Sequence, residues 1–326
     1  MPIGPLVASV LLLLGSVGAE PPAAPAEAVT LRPVWTKGTH DDYRFKHRAI
    51  VTTREAGEER LVSTNLAGVL RLAVRETEDS GAALLVITIL KIEATMTAMP
   101  TDYAAAIEGP LTFEWERPAD GAPPAPDGGP AAGAVAAPLA ALCAAELIVR
   151  VRTDGSIGSL RGTEEADAAA REHGEAGALA LGPFGGASLP RFLERLWRVD
   201  DEEDDGFVQR APGAKWQRTE ERAMPHGAMA RLVREHTLSG VDMPGLWPIE
   251  IVGGGTLAAP RGEPDPTRPT LKLEEWTERG LAVWDSAAGR IARRNDTLKA
   301  RTAASIGGHA VQTDVQTLIE FEAVQR

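Results

Sequence analysis

The sequence predicts a mainly β protein with minor α content, in which two antiparallel β-sheet halves are joined by a short helical segment. Three observations carry this prediction. Segments alternate apolar and polar residues with a period of two, the mark of strands with one buried face. Turn signals rich in Asp and Gly separate these segments. The 326 residues also include 24 Pro and 33 Gly, breaks too frequent for long helices.

The elements follow in order. Leu6–Leu14 is an apolar run with small residues at Val17 and Ala19. It has the length of a signal-peptide core and is shorter than the ~20 residues a bilayer-spanning helix needs. Residues 1–19 are therefore expected to be a cleaved signal peptide, although no Lys or Arg precedes the run. Residues 20–30 (EPPAAPAEAVT) read as a Pro/Ala-rich spacer. Residues 31–162 form the expected N-terminal β-rich half. In it Tyr43, Phe45, His47, Ala49 and Val51 alternate with Arg44, Lys46, Arg48, Ile50 and Thr52, and Leu70, Leu72 and Val74 continue the pattern. Ala83–Met96 is rich in β-branched residues and reads as a long central strand. Leu111–Glu116 and Leu147–Arg152 alternate again, and Asp154-Gly155 marks a hairpin. Between these two strands residues 118–138 hold six Pro and four Gly, which predicts a flexible loop.

Residues 163–210 form a helical and acidic connecting segment. Thr163–Glu172 opens with an acidic first turn. Ser188–Arg198 places Leu189, Phe192, Leu193, Leu196 and Trp197 on one helical stripe. Residues 211–326 form the C-terminal β-rich half, with strands expected at 231–238, 247–252, 271–276, 281–284, 291–302 and 311–324. Asp285–Gly289 is a turn between two of them. The hairpins at 146–162 and 280–294 share an order of strand, Asp, Gly and Ile, so duplication of a β-unit and a chance likeness of hairpins both stand.

The net charge is −12, from 34 basic and 46 acidic side chains. That balance argues against a nucleic-acid partner, which needs a basic face. The single cysteine, Cys143, excludes an intrachain disulfide framework and lies in an apolar run that reads as packing. The six histidines (His40, His47, His173, His226, His236 and His309) form no helical metal-binding pair. The acidic run Asp200–Asp205 lacks the Gly-kinked alternation of a calcium loop and reads as a solvated loop. Gly253–Gly255 lacks the Lys-Ser/Thr pair of a phosphate loop and reads as a bulge or wide turn. Asn295-Asp-Thr297 fits a glycosylation sequon. The seven tryptophans read as packing, with Trp276 and Trp284 as hairpin neighbours. No catalytic, cofactor-binding or metal-ligating residue emerges, and no cofactor is expected.

Four strings carry a resemblance: Tyr43-Arg-Phe-Lys46, the turn unit Asp154–Gly162, Pro212-Gly-Ala-Lys-Trp216, and Gly280–Arg290. In this layout the mature chain resembles a group of secreted bacterial β-rich proteins of unknown function. Its architecture is similar to that of lipoprotein- and lipid-carrying half-barrels, in which a curved sheet clasps an acyl chain. The signal-like run at 6–14, with no later stretch of ~18 consecutive apolar residues, predicts a secreted or periplasmic protein without a transmembrane span in its mature chain. The group has no established activity to carry over; the long strands with strict alternation and the lack of a catalytic constellation predict instead a non-enzymatic binding or scaffold role toward an apolar small molecule or an envelope protein. The rival is a secreted hydrolase whose two carboxylates lie on separate strands, among 46 acids.

Overall fold

The computed structural model describes residues 28–97, 110–118, 130–199, 208–224, 228–240, 243–257, 270–306 and 309–324. The expected signal peptide at 1–19, most of the 20–30 spacer, the acidic run Asp200–Asp205 and His226 lie outside them. In chain order the strands are β1 (Val29–Thr30), β2 (His40–Glu55), β3 (Glu58–Thr77), β4 (Ala83–Thr97), β5 (Leu111–Glu116), β6 (Leu147–Val151), β7 (Ile157–Arg161) and β8 (Gln209–Arg210). They continue with β9 (Lys215–Ala223), β10 (Met229–Leu238), β11 (Leu246–Leu257), β12 (Thr270–Asp285), β13 (Arg290–Ile306) and β14 (His309–Ala323). The helices are α1 (Pro130–Ala144), α2 (Glu164–Glu172), α3 (Gly174–Leu181) and α4 (Leu189–Glu194), with a 3-10 turn at Gly182–Phe184.

Twelve strands make one antiparallel sheet, in the order β7-β6-β4-β3-β2-β14-β13-β12-β11-β10-β9. The short β5 pairs with β4 along Lys91–Met96, beyond the stretch that pairs with β6. β1 and β8 form a separate two-stranded ribbon. The two β-rich halves are thus the two flanks of one sheet. They meet where β14 returns to lie beside β2, with Val311–Ala323 opposite Tyr43–Glu55.

Residues directly opposite one another in such a sheet share a face. One row of the inner face therefore runs Phe45, Phe321, Arg294, Ala282, Ile249 and Leu238 across six strands. The helices cover this face over the N-terminal flank. α1 packs on β4, β5, α2 and α3. Phe45, Phe184, Phe192 and Phe321 stack edge-on or tilted, with centroids 4.8–6.2 Å apart, an arrangement that suits the ring quadrupoles. The stripe Leu189, Phe192, Leu193, Leu196 and Trp197 is buried throughout. Its helix stops at Glu194, and residues 195–197 continue as a turn.

Several expectations are corrected. Residues 130–138, read as part of the 118–138 loop, are the first half of α1. Alanine favours helix, and Ala134, Val135 and Ala136 are buried against the core. The expected strands at 271–276 and 281–284 are one strand, β12, running through Gly280. Trp276 and Trp284 consequently lie on the same strand rather than across a hairpin, and Trp284 stands opposite Trp247. Gly253–Gly255 is neither bulge nor turn but regular strand within β11.

Candidate functional site

Beyond the helical cover, the inner face of β9–β13 changes character. Arg294 and Asp296 of β13, Glu278 of β12, Arg234 of β10, and Glu220 and Arg222 of β9 step diagonally across it. Each lies at an inward position of its strand. Trp216 fixes the parity of β9, and Arg218, Glu220 and Arg222 follow it at steps of two. Arg191 and Arg195, at the end of α4 and just past it, reach this seam from above.

The contacts form a chain of alternating charge. Arg294 binds Asp296 at 2.8 Å, and Arg195 contacts both Asp296 and Glu278. Arg234 bridges Glu278 and Glu220 at 2.7 and 2.8 Å. Glu220 also meets Arg191 at 2.5 Å and Arg222 at 3.7 Å through a residue-spaced pair on β9. Among these eight side chains there are five cations and three anions. A cavity of about 280 Å³ is lined by the five arginines and Glu220, with Arg198 and Arg218 beside them.

Glycine makes the space. A Cβ at Gly280 would stand 2.2 Å from Asp296 Oδ1, and one at Gly253 would stand 3.0 Å from Glu278 Cβ. A Cβ at Gly255 would meet Leu232 at 2.7 Å and Trp276 at 2.9 Å. The glycines that read as breaks in the sequence are positions where the neighbouring strand's side chain needs the room.

The segment after α4 is pinned to the sheet. Trp197 Nε1 donates to the Gly155 carbonyl at 2.8 Å, and the Ile291 amide donates to the Leu196 carbonyl at 2.9 Å. Trp216 Nε1 donates to the Val199 carbonyl at 3.0 Å, while its ring stacks on His236 at 5.2 Å.

Electrostatics follow from burial and charge. Burial would raise the Glu278 carboxyl, but Arg195 and Arg234 pull it down to about 2. Burial opposes the same shift at Glu220, and Arg234, Arg222 and Arg191 again prevail, so it too sits below its usual value. Both are ionised near neutral pH, the opposite of the protonated carboxyl that a glycosidase acid requires. Burial lowers Arg222 and Arg294, with neighbouring arginines adding to the effect. His236 falls to about 3, through burial and then Arg218. His47, two strands away from Asp296 in the same row, falls to about 4 through burial and then Arg195.

The seam divides two apolar clusters. On one side Trp216, Trp247, Ile249, Ile251, Trp284 and Ile291 close against Leu31 and Val199. On the other, Ala230, Leu232 and Trp276 gather Met224, Leu257, Leu273, Leu298 and Ala300. Every member of this second cluster except Met224 belongs to a strand, and its outer members are half-buried. Arg222 joins seam to cluster, with its guanidinium 5.2 Å from the Trp276 ring centroid.

The residues singled out in the sequence lie elsewhere or have other parts. Cys143 is buried in α1, and burial pushes its thiol up to about 12, an unreactive state. Among the described residues no three His, Cys, Asp or Glu side chains gather as a metal site. Asn295 lies within β13, 3.4 Å from Glu320. The seam escaped the sequence reading. Its signal was polar residues at inward positions of alternating strands, visible only once Trp216, His236 and Trp276 are known to face inward.

No family model and no curated protein matches the chain. Solved structures similar to it include lipovitellin, described for its lipid–protein interactions, at 10% identity and a TM-score of 0.42; the match covers 89% of this chain and 25% of that one. An outer membrane channel from Pseudomonas putida F1 is 9% identical, with a TM-score of 0.27 and coverage of 90% and 98%. The Pseudomonas aeruginosa protein OccK7 is 5% identical, with a TM-score of 0.26 and coverage of 88% and 99%. The chain spans a quarter of the lipovitellin chain. TM-scores below 0.5 do not establish a shared fold, so the site rests on its own residues. No helix among the described residues is long and apolar enough to cross a membrane.

Proposed function

We propose that this is a non-enzymatic binding protein of the cell envelope whose inner sheet face holds the apolar part of a small ligand. The observation that carries this reading is the cluster around Trp276. It is an apolar surface built on strands alone save Met224, with no residue of the described helices in it. A strand surface left half-buried suits an acyl chain, which needs apolar contact along its length but no directional partner. The apolar run Leu6–Leu14, followed by small residues, supports delivery to the periplasm or exterior by a cleaved signal.

Native mass spectrometry of the protein purified from a periplasmic fraction tests this. The expected result is an added mass of amphiphile size that is lost on denaturation. It should be retained in variants of the outer sheet face and lost in Trp276→Ala. A chain that carries no added mass and leaves an environment-sensitive apolar dye unchanged would overturn the reading.

A further inference from the structure

We propose that the seam beside the Trp276 cluster is an anion site, and that it takes a doubly charged phosphate monoester group. Three observations converge on it. First, among the described residues the seam holds more cations than anions. Arg191, Arg195, Arg222, Arg234 and Arg294 face Glu220, Glu278 and Asp296, five cations to three anions. This local excess occurs in a chain whose net charge is −12. A phosphate monoester near neutral pH carries about −1.5 to −2 and has three acceptor oxygens, which suits a cationic seam of this kind.

Second, a donor remains unused. Arg222 Nε is buried and meets no acceptor among the described residues. The carboxylate contact of Arg222, with Glu220 at 3.7 Å, shares a carboxylate already held by Arg191 and Arg234. A buried guanidinium N–H without an acceptor is a ready donor for a phosphate oxygen.

Third, the size fits a headgroup and not a whole ligand. The cavity of about 280 Å³ is below the ~300 Å³ at which pockets begin to hold entire drug-sized molecules. Arg222 lies over Trp276, so a chain attached to a phosphate in the seam would run onto the cluster of Leu232, Leu298 and Leu273. The inference rests on the carrier reading for that chain, but not for the anion.

Calorimetric titration with three probes separates these parts. Dodecyl phosphate offers head and chain, dodecyl maltoside the chain alone, and inorganic phosphate the head alone. Dodecyl phosphate is expected to bind the protein, and Arg222→Gln and Arg191→Gln to weaken it by at least ~10-fold each, the loss of about one charge-assisted contact. Arg279→Gln, on the outer face of β12, is the control and should bind as the parent does. Arg191 is half exposed, so its variant keeps the fold, which circular dichroism checks for both. If dodecyl phosphate and dodecyl maltoside bind alike and neither variant changes this, the anion site is overturned while the carrier reading stands. If inorganic phosphate binds as tightly as dodecyl phosphate and the variants abolish both, the anion site stands as one for free phosphate, and the carrier reading falls. If no probe binds, both fall.

Discussion

His47 and Glu278 show how single side chains tie this fold to pH. Unfolded His47 takes up a proton as pH falls through 6.5, whereas the folded protein holds it neutral until about 4. Between those values the proton favours the unfolded chain. Stability that is fully present above pH 6.5 is therefore lost on acidification, by about 3 kcal/mol once pH 4 is reached. His236 acts in the same direction. Glu278 extends the decline, because its stabilising charge is present above 4.5 and lost as pH falls toward about 2. Urea unfolding at about pH 7.5 and about pH 4.5 should show this loss, and His47→Gln should reduce it by roughly 3 kcal/mol. An unchanged decline in that variant would mean that His47 is not the titrating group. The inward placement of His47 was legible in the sequence, because Tyr43, Phe45 and His47 alternate cleanly. The inward placement of Arg222 was not. Arg222 on the inner face and Arg231 on the outer are the same residue on neighbouring strands, and only register tells them apart.

Among the elements, the stretch from Leu189 to Val199 has the widest reach. It contributes Phe192 to the aromatic cluster, Arg195 to the seam, and backbone acceptors to β9 and β13. Trp197 is its anchor, fully buried, edge-on to Trp35 and bonded to the Gly155 turn. Trp197→Ala should cost about 3–5 kcal/mol in denaturant unfolding, from the cavity and the orphaned carbonyl together. A loss below ~1 kcal/mol would show that the segment is held mainly by its other contacts. The apolar spacing of this helix was readable because a stripe repeating at three and four residues has one explanation. β12 was misread as two strands because Gly280 carries no side chain to show its neighbour's claim on the space. α1 was hidden because Pro130, Gly133 and Pro138 punctuate an otherwise Ala-rich helix.

At the scale of the whole molecule, the pairing of β14 with β2 decides whether there is one sheet or two. The alternation of Val315, Thr317, Ile319 and Phe321 announced a strand, but nothing in the sequence says that its partner lies more than 250 residues earlier. Long-range partners leave no local signal. Removal of residues 309–326 should therefore do more than shorten an edge. It would expose the inward side of β2 and β13, uncover Phe45 and Phe192, and leave both flanks with open hydrogen-bonding edges. The expected outcome is loss of cooperative thermal unfolding and recovery of the chain in aggregates. A monomeric variant with a single sharp transition would show that the flanks fold independently.

The same central position of β14 also sets a timetable. A ribosome adds about 5–20 residues per second, and domains generally close as their parts emerge. Here the middle strand of the sheet is the last of its strands to be made, so β2 must wait for it through the synthesis of every other strand. Until then the nascent sheet is open at its centre, and its most apolar rows are accessible to a chaperone. Closure of the sheet is thereby deferred to its final strand, an order that suits the proposed export of the chain in an unfolded state.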